Sequence, residues 1–165
     1  MILVVADTTP LNDLILIDCE EVLAKLFTRV LIPPAVLREL QDSGTPEAVR
    51  RWTEKLPAWL EVHPAQDGSA GALPASLGAG EREAIALGEE LHADLLLVDD
   101  REAREEASKH GLRILGTLGL LERAAALGLV SLPAAIERLR GTTFRIAGSL
   151  VEDALRRDAE RRRRQ

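Results

Sequence analysis

The chain has 165 residues, 46% apolar and only 2% aromatic, with a formal net charge of −6 from 27 acidic and 21 basic side chains. That length holds one domain with a real core, while the shortage of aromatics and the acidic balance argue against base-stacking readers of single strands and against nucleic-acid binding by overall positive charge. The single cysteine, Cys19, excludes an intramolecular disulfide or a Cys-rich zinc site, and no run approaches the roughly 20 apolar residues of a membrane span.

The N-terminus has no basic region followed by an apolar run and a cleavage site, so the reading is of a cytoplasmic protein. Met1 to Ala6 is apolar and β-branched and predicts a first buried strand, ended by Asp7-Thr8-Thr9-Pro10. Asp and Thr cap helices and Pro suits a first helical turn. Leu11 to Leu26 then predicts one or two helices, broken near Asp18. Thr28 to Ile32 reads as a second strand. Pro33-Pro34 stops it and opens a helix with Ala35, Val36, Leu37 and Leu40 on its apolar side and Glu39 near its middle. A helix from Pro46 to Leu56 and a short strand from Trp59 to Val62 follow.

Residues 63–80 are rich in Gly, Ala, Pro and Ser and read as a mobile loop. Glu81 to Leu91 predicts a strong helix with an apolar stripe and an acidic first turn, which the helix dipole favours. Leu95-Leu96-Leu97-Val98 has the continuous apolar character of a strand buried on both faces, and Asp99-Asp100 stands where it ends. A helix to His110, a short strand over Leu112 to Leu115 and helices ending at Leu127 and Leu139 complete the alternation. Leu150 to Gln165 predicts a polar terminal helix rich in arginine. The class is α/β, with a central parallel sheet and helices on both faces.

Parallel strands end on the same side of their sheet, which is where ligands bind in open α/β folds. If the first strand neighbours the Leu95 strand, Asp7 meets Asp99 and Asp100 there. Glu39, from the helix after the second strand, and Glu81, at a helix start after a glycine-rich loop, can reach the same edge. An all-oxygen cluster without His or Cys suits Mg²⁺ or Mn²⁺. Two such ions hold a phosphodiester, lower the pKa of an attacking water and stabilise the leaving oxygen. The competing roles are structural: a helix cap for Asp7, a solvated Glu39, a dipole complement in Glu81, and a cap for one of Asp99 and Asp100. A receiver domain also gathers carboxylates on a parallel sheet. It requires a lysine after the last strand, where this chain has Gly116-Thr117.

The segments VADTTPL (5–11), IPPAVLREL (32–40), GEREAIALG (80–88), LLVDDREAR (96–104) and GTLGLL (116–121) occur in order. Together they resemble the PIN domains, most closely the small prokaryotic DUF3368 kind related to VapC-type toxins. The resemblance implies a three-layer α/β/α sandwich with four or five parallel strands, over about residues 1–145, followed by a basic helix or tail over 146–165. It implies a metal-dependent ribonuclease leaving a 5′-phosphate and a 3′-hydroxyl, the toxin of a type II toxin–antitoxin pair. RNA is then the substrate, and the partners are a small antitoxin and a second copy of the chain.

By position, the catalytic acids would be Asp7, Glu39, Glu81, Asp99 and Asp100, with Asp7, Glu81, Asp99 and Asp100 binding metal. Thr9 would be the nearby hydroxyl, and Arg101 and Arg104 would touch phosphate or pair with Glu102 and Glu105. Where many relatives have Thr or Ser, any residue, then Asp, this chain has Val98-Asp99-Asp100, and that register favours Asp100 as the ligand. A PIN fold that has lost catalysis and serves as an interaction module is the alternative.

Overall fold

The computed structural model describes residues 1–165. Its elements are β1 Leu3–Ala6, α1 Thr8–Leu16, α2 Val22–Leu26, β2 Arg29–Ile32, α3 Pro34–Leu40, α4 Glu47–Thr53, β3 Leu60–Val62, α5 Ala79–Glu90, β4 Leu95–Leu97, α6 Arg101–Lys109, β5 Ile114–Leu115, α7 Thr117–Ala126, α8 Leu132–Arg140 and α9 Gly148–Arg163, with one 3₁₀ turn at Ala70–Ala72. All five strands are parallel, in the order β3-β2-β1-β4-β5. The predicted break near Asp18 lies between α1 and α2, and Asp18 takes a left-handed φ of 57° there.

Side-chain alternation along the strands divides the core in two. Val4, Ala6, Val30, Ile32, Leu95 and Leu97 face the larger layer, which includes α1, α7, α8 and α9. Val5, Leu31, Leu96 and Val98 face the smaller layer of α5 and α6. This is the three-layer α/β/α arrangement, with helices covering both faces of a sheet whose central strands are apolar on both sides.

Two segments differ in character from the sequence reading. The 63–80 loop is anchored: Leu73 and Leu77 are buried in the smaller core, and the Gln66 N–H donates to Glu90 at 2.8 Å. Its glycine-rich composition concealed two apolar anchors. Helix α9 packs Val151 and Ala154 into the larger core, and Arg157 pairs with Glu122 of α7 at 2.5 Å. Its arginines are solvated on one side only, with Arg161 and Arg162 gripping the buried Asp158. No helix is long and apolar enough to cross a membrane.

Candidate active site

The chain leaves β1 toward β2 and β3 on one side and reaches β4 and β5 on the other. The switch of direction therefore falls between β1 and β4, and a crevice opens at the carboxyl ends of such a pair. The register pairs Ala6 with Leu97, and the Asp7 N–H extends the ladder to the Leu97 carbonyl at 2.9 Å. Asp7 and Asp99 thus both leave the carboxyl ends of their strands at this switch point, one position out of step.

Asp7 occupies the N-cap position of α1, but its side chain makes no cap hydrogen bond. It is 3% exposed, and its Oδ1 has no hydrogen-bond partner. Burial pushes its pKa up to about 7, opposed by the Thr8 N–H and reinforced by the negative charges of Glu81, Glu39 and Asp99. A carboxylate drawn only to cap a helix has no reason to lie in that field.

Glu39 is held on both oxygens. Its Oε2 accepts the Thr8 hydroxyl, and its Oε1 accepts the Gly80 N–H at 3.1 Å. Gly80 lets the backbone come this close, because a Cβ there would collide with Glu39 Oε2 and the carboxylate would have to shift. The next residue, Glu81, folds back so that its Oε2 accepts the Gly78 N–H at 3.1 Å. Its pKa is raised by burial first, then by Asp100, Glu39 and Glu102, against the Gly78 N–H. The α5 start therefore brings Glu39 and Glu81 to the same edge, one through a long-range and one through a local backbone N–H.

The two aspartates after β4 have divided roles. Asp100 is exposed and caps α6, its Oδ2 accepting the Ala103 N–H at 3.0 Å, while its charge acts on Glu81. Asp99 turns toward α7, where the Thr117 N–H reaches its Oδ1 at 2.8 Å and the Thr117 hydroxyl its Oδ2 at 2.6 Å. Its charge acts on Asp7 and on Asp13. Position by register favoured Asp100; Asp99 is the one whose field reaches Asp7.

Sequence reasoning missed three residues. Thr8, not its exposed neighbour Thr9, is the hydroxyl bonded to Glu39; Thr9 lines a cleft with Asn12, Asp13 and Asp99. Thr117 holds Asp99, and only the GTLGLL segment marked it. Asp13 is 1% exposed, with Oδ2 lacking a partner, and burial lifts its pKa to about 6 against the Asn12 hydrogen bond, with Asp99 adding to the rise. An aspartate at a helix position flanked by Leu11 and Leu14 was the available signal. The arginines separate: exposed Arg101 pairs with Glu105 at 3.2 Å, while Arg104 lies against Gly116 beside Asp99 and makes no ion pair.

As they stand, no three acidic, His or Cys side chains converge closely enough to ligate one ion. The protein donors Thr8, Gly78, Gly80, Ala103 and Thr117 engage the carboxylates instead. The donor chemistry nevertheless fits a hard divalent cation: all ligating atoms are oxygens, and Asp7 Oδ1 is buried and unpartnered.

A family model described as DUF3368, PIN domain, matches residues 3–160. Among solved structures, the fold is similar to a PilT N-terminus domain protein from the hyperthermophilic archaeon Sulfolobus solfataricus. The match has a TM-score of 0.54 and 20% identity, covering 75% of this chain and 93% of the other. No curated protein sequence matches.

Proposed function

The chain belongs to the DUF3368 family of PIN domains, a nuclease-type fold, and we propose that it is a metal-dependent endoribonuclease. The observation that carries this reading is the buried, unpartnered Asp7 Oδ1 in the combined field of Glu39, Glu81 and Asp99. Buried like charges are expensive unless a cation offsets them. Divalent metals are typical of PIN domains.

Asp7, Glu81, Asp99 and Asp100 would hold one or two Mg²⁺ or Mn²⁺ ions. When bound, such an ion acidifies a water and stabilises charge on the phosphoryl and leaving oxygens. The chain's own residues supply the rest. Thr8 and Gly80 fix Glu39 at the rim, Thr117 aims Asp99, and Arg104 offers a guanidinium to the phosphate. Arg101 is available only after leaving Glu105. Hydrolysis with inversion at phosphorus would leave a 5′-phosphate and a 3′-hydroxyl.

The finer biological reading is the toxin of a type II toxin–antitoxin pair, active in the cytoplasm as a homodimer and bound by a small antitoxin. Exposed Leu127 and Leu150 offer apolar contacts to such partners, whereas Leu118 and Leu121 serve the core. The test is incubation of structured and unstructured RNA with the protein in Mn²⁺, in Mg²⁺ and in EDTA. Cleavage dependent on the cation and lost in Asp7→Asn is expected. Cleavage that survives chelation, or that Asp7→Asn leaves intact, overturns the reading. A folded protein that binds RNA but cuts nothing is the interaction module.

A further inference from the structure

Next to the acidic cluster, on the α1 side, lies a cleft of about 300 Å³, at the lower end of the roughly 300–1,000 Å³ of small-molecule sites. Asp99 borders both. One wall comes from α1, with Thr9, Asn12 and Asp13; the facing wall is the loop between α8 and α9, with Phe144 and Arg145. Phe144 is the one large apolar side chain in an otherwise polar lining.

Asp13 is the feature that asks for a ligand. It is 1% exposed, its Oδ1 accepts the Asn12 amide at 3.1 Å, and its Oδ2 has no partner. A buried carboxylate oxygen without a donor bears the unrelieved cost of its desolvation. A hydrogen-bond donor entering the cleft would satisfy it. A phosphate would not, since both are negative. Arg145 serves that need. Its Nη1 donates to the Thr142 and Phe144 carbonyls at 3.2 and 3.0 Å, which orients the exposed guanidinium and leaves Nη2 and Nε free. One acceptor on the α1 wall and one anion-binding fork on the facing loop, with Phe144 beside the fork, match the hydroxyl, phosphate and base of a single nucleotide.

We propose that this cleft is a nucleotide subsite beside the acidic cluster, in which Asp13 accepts a ribose 2′-hydroxyl and Arg145 pairs with a phosphate. The inference rests on the ribonuclease reading and adds to it a reason to select RNA: the 2′-hydroxyl is the donor that DNA lacks, and a deoxyribose leaves Asp13 unpaired.

The experiment measures binding by fluorescence anisotropy in EDTA, with a uracil-containing ribo-oligonucleotide and its all-deoxy counterpart of identical base sequence. The wild-type chain is expected to favour the ribo form roughly tenfold. Asp13→Asn, checked for an unchanged fold by circular dichroism, loses that preference. Arg145→Gln weakens both forms by a similar factor and keeps the ratio. Single 2′-deoxy substitutions scanned along the ribo-oligonucleotide test the same contact without altering the protein, and one position should carry the loss. Equal wild-type affinity for both forms, a preference intact in Asp13→Asn, or a loss spread evenly along the strand overturns the subsite. Failure of the ribonuclease reading looks different: no Mn²⁺-dependent cleavage of the same RNA, with the ribo preference retained.

Discussion

The Glu39 carboxylate accepts a hydrogen bond from the Gly80 N–H, 41 residues further along the chain, at a point where a Cβ on residue 80 would collide with Glu39 Oε2. This contact docks the mid-helix Glu39 of α3 onto the first turn of α5, where the backbone N–H groups are unsatisfied. It also sets Glu39 next to Glu81.

Replacing Gly80 with alanine tests that contact. Alanine is the better helix former by about 1 kcal/mol, but the added methyl must displace the carboxylate, and overpacking costs about 1–3 kcal/mol. A lowered melting temperature is expected, with cleavage falling at least tenfold as Glu39 leaves Thr8. A variant as stable and active as the parent would show that Glu39 has no fixed place in the site.

Stability should fall as pH rises from about 4 to about 7 in the absence of divalent cations. Asp7 is pushed from 3.8 to about 7 and Asp13 from 3.8 to about 6, both chiefly by burial, and Glu81 moves in the same direction. A raised pKa means the folded state holds its protons more tightly. The folded state is then favoured at low pH and loses that advantage as the groups ionise. Asp7→Asn should flatten the slope and raise the melting temperature at pH 7. Urea melts across this range check the sign, and a stability that climbs with pH from 4 to 7 in the parent, with no change of slope in Asp7→Asn, contradicts it.

Mn²⁺ or Mg²⁺ should reverse that loss at pH 7 by compensating the ionised cluster. A ligand at a hundred times its dissociation constant stabilises by about 2.7 kcal/mol. Thermal melts with increasing cation should rise in the parent and stay flat in Asp7→Asn. A rise of equal size in both would place the cation elsewhere.

Thr117→Val keeps the shape of a fully buried residue and the N–H to Asp99 but removes the hydroxyl at 2.6 Å from Oδ2. Hydrogen bonds to charged groups contribute about 1.5–3 kcal/mol. A loss of that order is expected in denaturant melts, together with reduced cleavage and an unchanged product pattern. Full activity would mean that Asp99 needs no orienting partner.

Asp99→Asn and Asp100→Asn should separate the two roles. Asparagine caps a helix as well as aspartate does, so Asp100→Asn should leave stability nearly unchanged. Asp99→Asn removes a charge from the field of Asp7 and should cut cation-dependent cleavage more deeply. The reverse ranking in cleavage assays would return the principal ligand role to Asp100.

Much of this molecule was legible from residue order. The apolar runs at Leu3–Ala6 and Leu95–Leu97, punctuated by Asp7 and Asp99-Asp100, announced buried parallel strands ending in carboxylates, because such strands alone tolerate apolar residues on both faces. Asp13 escaped notice because an aspartate near Leu11 and Leu14 is only a weak local signal, shared by many ordinary polar positions of a helix. Its meaning arises only when a loop 130 residues away closes the cleft above it.

The sequence by itself determined the α/β class, the order of the elements and the acids that could meet. It did so because secondary structure and strand polarity are encoded in local periodicity. Only the tertiary structure decided that β1 lies beside β4, that Asp100 caps α6 while Thr117 holds Asp99, and that Thr8 and Thr117 are the hydroxyls at the site. Those facts depend on which strands pair and on which backbone donors remain unsatisfied once the helices pack. They are properties of contacts distant in sequence, which no window along the chain contains.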